Sequence, residues 1–421
     1  MAEPHDNWRV NSVDIQILET FRDRCVYIET YGCCYNFGDT AKLIEILKYK
    51  GSTLVDSAEA ADAVIINTCT VVGPTERRML RRLSRFREYD LYVTGCMPVV
   101  QREAIFAVCT PTILPSEVIH EVYQCIRTIS DSGTAIVQVA CGCVGRCKYC
   151  LSRIARGPLK SFSEEEILAE ILAHAHTGTP EIQITAQDVS CWGRDIGKSL
   201  PELLMGIEDL PGRFMIRVGM MNPATVKGIL DDLVDAYAHD RIFKFVHLPV
   251  QSGSDAILER MGRGYTVADF EEIVAAFKNR YPKITLATDM IVGFPGESRE
   301  DFSESLDLIK RVRPNKVNIT RYSRRPFTPL SSKEDFPDRV KKDRSRVMNS
   351  CAEKVYGSIN AGVLEQQMPF LVTETIKKGS VMARSPDYLG IVINENLPVG
   401  YEGQAILKKD RKYFFIGQRV I

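Results

Sequence analysis

The eight residues Cys143-Val-Gly-Arg-Cys147-Lys-Tyr-Cys150 constrain this chain more than any other stretch. Three thiols in a Cys-x3-Cys-x2-Cys run, with an aromatic residue (Tyr149) before the last, share one loop. A cubane iron–sulfur cluster has four irons and normally takes a thiolate at each. Three local thiolates therefore leave one iron free to bind a small molecule. A structural zinc site instead closes its tetrahedron with four protein ligands, and Cys141 stands two residues upstream as a fourth thiol. The spacing favours the open cluster, with the closed metal knot as its alternative. A strand-like segment, 135–140, runs straight into this loop. That placement puts the three thiols at the carboxyl end of the strand.

A chain of 421 residues accommodates two or three domains. Its 54 Lys+Arg and 54 Asp+Glu cancel, which excludes a uniformly basic nucleic-acid binder but leaves local patches open. No apolar run approaches the ~18 residues of a membrane span. The N-terminus lacks the charged and apolar regions of a signal peptide, and the C-terminus carries no hydrophobic tail. These features read as a cytoplasmic protein with no membrane partner. The 13 cysteines are odd in number, so disulfides cannot use them all. In a cytoplasmic chain they are metal ligands, catalytic thiols or small core residues, and Cys25, Cys109, Cys125 and Cys351 lie in apolar or helical contexts that suit the last role.

Residues 1–23 form a polar extension without clear periodicity. Three strand-like runs follow, Cys25–Thr30, Ala63–Thr68 and Leu91–Gly95, each preceding a helical pattern, the first of these running from Asp39 to Tyr49. Strands alternating with helices imply a parallel sheet. Cys33, Cys69 and Cys96 each stand just past such a strand, at the edge where open α/β sheets bind ligands. On spacing alone they are either a second ligand set or three packing residues. From about residue 134 six further strand-like runs alternate with helices: 135–140, 181–186, 214–218, 243–248, 285–292 and 316–322. Six β/α units in series suggest a partial (β/α)6 barrel. The stretch from Arg321 to Arg346 is strongly charged, with nine Lys/Arg against four acids, and reads as a link. The last ~60 residues are short β-runs broken by Gly and Pro, as in a small OB-like β-barrel.

Several motifs resemble those of the radical S-adenosylmethionine (SAM) methylthiotransferases. They are Thr30-Tyr-Gly-Cys-Cys-Tyr-Asn36-Phe-Gly-Asp39, Asn67-Thr-Cys-Thr-Val71 and Thr94-Gly-Cys96, followed by the Cys143 triplet. Ala155-Arg-Gly157, Thr185-Ala-Gln187-Asp188, His247-Leu-Pro-Val-Gln251, Met261-Gly-Arg263-Gly-Tyr265 and Thr288-Asp289-Met-Ile-Val-Gly293 match in order. The resemblance implies a methylthiotransferase N-terminal [4Fe-4S] domain over 24–127, a radical SAM domain over 134–360 and a TRAM domain over 361–421. It implies two [4Fe-4S] clusters, the first on Cys33, Cys69 and Cys96 and the SAM-binding one on Cys143, Cys147 and Cys150. Two SAM molecules would serve each turnover, with an external electron donor and a sulfur source. Gln187, Asp188, Arg217, His247 and Gln251 lie at or near strand ends and are candidates for SAM or adenine contacts, or else rim hydrogen bonds. The continuation Thr70-Val-Val-Gly-Pro74-Thr75-Glu76 after Cys69 resembles the archaeal and eukaryotic branch acting on N6-threonylcarbamoyladenosine in tRNA. The expected substrate is therefore position 37 of the tRNA anticodon loop, and the expected state a monomer.

Arg77, Arg78, Arg81, Arg82 and Arg85 repeat at helical spacing opposite Leu80, Leu83 and Phe86. A stripe of this density can neutralise successive phosphates. With Arg324 and Arg325 it makes an expected tRNA track, against a plain solvated helix face. Three departures from the family pattern stand out: Cys141 before the triplet, Cys34 beside Cys33, and Phe327 where Gly is common. The alternatives are methylthiolation of N6-isopentenyladenosine or of a ribosomal-protein aspartate. In another class lies a zinc-stabilised, non-enzymatic RNA-binding protein.

Overall fold

The computed structural model describes residues 12–70, 73–126 and 133–420. The chain divides into two units. One holds residues up to 130 with 141–144 and 150–160; the other holds 131–140, 145–149 and 161–421.

The first unit is built on a five-stranded parallel sheet of β1 (Cys25–Thr30), β2 (Thr53–Leu54), β3 (Ala63–Thr68), β4 (Leu91–Gly95) and β5 (Thr112–Ile113), in the order β2-β1-β3-β4-β5. All six residues of β3 are buried, as expected for a strand covered on both faces. Its alternate side chains serve two cores. Ala63 and Ile65 pack with Leu43, Ile46 and Leu47 of the helix Cys34–Tyr49. Val64 and Ile66 pack with Met79, Leu83 and Phe86. The strand order reverses direction between β1 and β3, and such a switch point opens a crevice at the strands' carboxyl ends.

Two local expectations differ here. The polar extension contains a helix, Ser12–Glu19, and Leu18 and Phe21 are fully buried in the first core; two anchors in a polar stretch show no period. Residues 1–11 lie outside the described residues. The helix expected from Asp39 begins at Cys34, through Asn36 and Gly38, which are weak helix formers.

In the second unit six strands lie side by side: β6 (Thr134–Gln138), β9 (Glu181–Thr185), β10 (Met215–Val218), β11 (Phe245–His247), β12 (Thr285–Val292) and β13 (Lys316–Arg321). The two-residue strands β7 (Ala140–Cys141) and β8 (Lys160–Ser161) precede β9 in the chain. The six form two parallel sheets, β10-β9-β6 and β11-β12-β13. Parallel bridges from Ile216 to Ile242 and from Met220 to His247 join them into one partial barrel. Helices separate the strands, and those starting at Glu164, Val267 and Arg299 carry complete capping boxes from Ser163, Thr266 and Ser298.

The charged stretch after Arg321 is only partly a link, because a helix runs from Asp338 to Ala361. Within it Lys341 pairs with Asp335, and Arg344 pairs with buried Glu297. A closed barrel follows, β14-β15-β16-β18-β17, from β14 (Gln367–Lys377), β15 (Ser380–Arg384), β16 (Gly390–Ile393), β17 (Glu402–Asp410) and β18 (Phe415–Val420). Phe370, Val372, Ile391, Leu407 and Phe415 fill it. The architecture is mixed α/β with a small closed β-barrel at its C-terminal end.

Candidate active site

The switch-point crevice of the first unit gathers Cys33, Cys69 and Cys96. Cys33 is the N-cap of the helix Cys34–Tyr49 and is exposed. Cys69 is buried behind Gly32, which has φ +117°; a Cβ there would lie 2.9 Å from Cys69 Sγ. Only glycine therefore lets the loop after β1 close on this thiol. Gly95 is as tightly held, since its Cβ would lie 2.3 Å from Asn67 Oδ1. That oxygen is buried without a hydrogen-bond partner. Burial pushes the Cys96 thiol up, as does the nearby Cys33. Cys34 starts the helix one residue beyond the cap.

Arg156 is what binds this crevice together. It is almost wholly buried, and its Nη2 donates to Asn36 Oδ1 at 2.9 Å and to Asp39 Oδ2 at 2.6 Å. Its Nε points at Cys96 Sγ, 3.4 Å away, and its guanidinium lies 4.8 Å from the Tyr35 ring centroid. Asn36 in turn donates to Tyr31 O and Thr68 O, which pins the loops after β1 and β3 to each other. The spare thiol Cys141 donates to Arg156 O at 3.5 Å, and burial pushes it up.

In the second triad Cys143 and Cys150 belong to the first unit and Cys147 to the second. Gly142, with φ +77°, turns the chain before Cys143; a Cβ there would meet Pro158 O at 1.9 Å. Ser152 N–H donates to Cys150 Sγ at 3.4 Å. Within the second unit, Arg263 Nη1 donates to Cys147 Sγ at 3.3 Å. The same guanidinium donates to Asn222 Oδ1, Pro249 O and the Tyr265 hydroxyl, so its direction is fixed. Among the described residues no three His, Cys, Asp or Glu close around a point as they would for a single ion. The donor chemistry suits iron–sulfur ligation instead: the first unit's crevice holds three thiols with an arginine N–H on one sulfur, and in the second unit Arg263 N–H meets the Cys147 sulfur. Such hydrogen bonds to sulfur are among the levers that tune a cluster.

The concave face of the partial barrel carries most of the remaining candidates. Arg217 Nη1 lies 3.4 Å from Gln183 Oε1. His247 Nε2 lies 2.9 Å from Asp289 Oδ1, which also accepts from Asn318 at 2.7 Å. Gln251 has φ +71° and its backbone bridges to Met290. Gln187 keeps a buried Oε1 with no partner. Asp188 is 2% exposed, and its oxygens accept from Ser190 N and Oγ, Asn222 N and Thr225 Oγ1. Through these bonds the carboxylate ties the loops after β9 and β10 together.

The arginines divide as well. Arg77, Arg78, Arg81 and Arg85 are exposed on the helix Gly73–Arg85. Arg82 is turned inward, paired through both Nε and Nη2 with Glu29. Arg324 is exposed, whereas Arg325 is 4% exposed. Among the described residues no helix is long and apolar enough to cross a membrane.

The Radical SAM superfamily matches residues 137–309, and the uncharacterized protein family UPF0004 matches residues 25–114. A "Probable threonylcarbamoyladenosine tRNA methylthiotransferase" of Pyrococcus horikoshii is 38% identical over 424 residues, covering 93% of this chain and 99% of that protein. The human "Threonylcarbamoyladenosine tRNA methylthiotransferase" is 29% identical, covering 94% of this chain and 74% of its own. Among solved structures, the radical S-adenosylmethionine methyltransferase TsrM of Kitasatospora setae aligns with a TM-score of 0.50 at 15% identity, over 73% of this chain and 77% of its own. At that identity the likeness speaks for the fold alone. End-to-end similarity to the archaeal protein, on top of the two family matches, carries the conclusion: this transferase belongs to the radical SAM family of threonylcarbamoyladenosine tRNA methylthiotransferases.

Proposed function

We propose that the protein inserts a methylthio group at C2 of the adenine of N6-threonylcarbamoyladenosine at position 37 of tRNA. The observation that carries this reading is the gathering of Cys33, Cys69 and Cys96 at one switch point, in a chain that also bears the Cys143, Cys147 and Cys150 run. When bound, two [4Fe-4S] clusters and SAM would supply the one-electron chemistry that opens an unactivated C–H bond, and the sulfur that replaces the hydrogen. Cys33, Cys69 and Cys96 would hold the first cluster; Cys143, Cys147 and Cys150 would hold the SAM-binding one.

The chain's own residues supply position and charge. Arg156 and Arg263 fix one sulfur of each set, and Gln187, His247 and Gln251 line the route to the substrate adenine. The exposed Arg77, Arg78, Arg81, Arg85 and Arg324 would track the phosphates. A base in a single-stranded loop splays out without a duplex being opened, which suits position 37. On this reading 24–127, 134–360 and 361–421 are the cluster, radical and RNA-binding modules. The enzyme works in the cytoplasm as a monomer with an external electron donor and sulfur source.

Mass spectrometry of tRNA nucleosides from a deletion strain tests the reading. Loss of the methylthio group from threonylcarbamoyladenosine is the expected result. Unchanged nucleosides overturn it.

A further inference from the structure

The concave face of the partial barrel is polar where a (β/α) barrel interior is usually packed with branched apolar side chains. Ile182, Ile184, Ile216, Val218, Val246 and Leu286 are buried on the alternate positions of these strands. Gln183, Arg217, Phe245, His247, Asp289 and Asn318 interact in a chain along the other face. Arg217 is paired in register with Gln183, and its guanidinium lies 4.9 Å from the Phe245 ring centroid.

The C-terminal barrel completes this face from below. Tyr388 sits in the turn between β15 and β16; its hydroxyl donates to Glu181 Oε1 at 2.6 Å, and its ring lies 4.8 Å from that of Phe245. Arg384, at the end of β15, stacks on Tyr388 at 4.7 Å and lies 3.9 Å from Glu181 Oε2. Burial first, and then the charges of Arg217 and Arg384, make Lys316 easier to deprotonate. Three cations thus act on one another at the foot of the strands, opposite two carboxylates. Glu181 Oε1 is already taken by Tyr388 and Gln183. Asp289 Oδ1 is taken by His247 and Asn318. Arg217 makes no ion pair among the described residues, and its buried Nε has no acceptor. One positive charge is left over, on a planar donor suited to a carboxylate.

We propose that Arg217 and Lys316, backed by Arg384, form a carboxylate subsite for the threonyl carboxylate of the substrate nucleoside. This deepens the proposed function and rests on it. Charge-assisted bonds to a carboxylate are among the strongest a site can make. An isopentenyl group in the same place leaves the buried Arg217 Nε without an acceptor, and sites built to hydrogen-bond a substrate reject analogues that lack the group. The cluster is thereby a specificity filter, read partly by a residue of the C-terminal barrel.

The test uses the full chain and three anticodon stem-loop RNAs, carrying at position 37 the threonylcarbamoyl acid, its methyl ester or an isopentenyl group. The wild type should bind the acid roughly ten- to a hundredfold more tightly than the ester, the scale of a lost charged hydrogen bond. Arg217→Met and Lys316→Met should bring the acid down to the level of the ester, and Arg217→Lys should restore part of the preference. Equal binding of acid and ester by the wild type overturns the subsite without requiring any variant to fold. Uniform weakening for all three RNAs would mean a phosphate contact, and loss of SAM binding would mean the methionyl carboxylate; either result also overturns it. If the deletion strain keeps its methylthiolated nucleosides, the substrate reading itself falls. If threonylcarbamoyladenosine is the substrate and the ester is bound equally, only the subsite falls.

Discussion

Arg156 Nε lies 3.4 Å from Cys96 Sγ while the same guanidinium holds Asp39 at 2.6 Å. A buried ion pair thereby aims a fixed N–H at a candidate cluster sulfur. Removing one partner of a buried pair leaves the other uncompensated and typically costs about 3–5 kcal/mol. Arg156→Met should therefore lower the melting temperature and strip the first cluster. Anaerobically reconstituted wild type should carry about eight irons, and the variant about four. Full iron with an unchanged melt would show that the contact is incidental.

Arg263 is the counterpart on Cys147. Its other donors go to Asn222, Pro249 and Tyr265, so it can neither leave the sulfur nor approach it further. Hydrogen bonds to cluster sulfurs make reduction easier by stabilising the more negative state. Arg263→Gln should move the SAM-binding cluster to a more negative potential in a dye-mediated titration followed by electron paramagnetic resonance. A variant with an unshifted potential would reduce Arg263 to a structural prop.

Cys147→Ala should abolish SAM cleavage while tRNA affinity stays within about twofold, since that sulfur has no part in phosphate contacts. Surviving cleavage, measured by chromatography of the SAM products, would mean that the radical cluster lies elsewhere.

The exposed and inward-turned arginines should separate in a salt titration. Arg77→Ala or Arg81→Ala should weaken tRNA binding and flatten the slope of log K against log salt by roughly 0.7–0.9, one phosphate contact. Arg82→Ala breaks the bidentate pair with Glu29 and should lower stability instead, as should Arg325→Ala at a 4%-exposed position. Equal slopes for all four variants would argue against the track.

His120 gives the first unit a pH dependence. Burial, and then the neighbouring Lys42, push its imidazole down to about 3. Because the unfolded chain takes up this proton near pH 6.5 and the fold resists it, stability falls as pH drops from about 6.5 toward 3. His120→Gln should flatten thermal melts of the apo-protein between pH 7 and pH 5. An identical pH slope in the variant would assign the effect to other groups.

Much of this fold is legible in the sequence, because buried parallel strands announce themselves as apolar runs; β12 (Thr285–Val292) has the expected bounds. The two-residue edge strands β2 and β5 carry too few residues to show a pattern. Spacing and resemblance single out the six cysteines as candidates, whereas Arg156 and Arg263 do not stand out. Their partners lie 60 to 120 residues away, and an arginine in a motif looks the same whether it faces solvent or sulfur. Asp188 is ambiguous for the converse reason: a satisfied acid and a ligand acid are identical in one dimension.

Tyr388 reaches from the last barrel to Glu181 at the start of a barrel strand. The terminal module is consequently not an interchangeable handle. A chimaera carrying a relative's final sixty residues would replace Tyr388 and Arg384 at the foot of the concave strand face, so on the proposed carboxylate subsite inheritance of that segment is inheritance of selectivity.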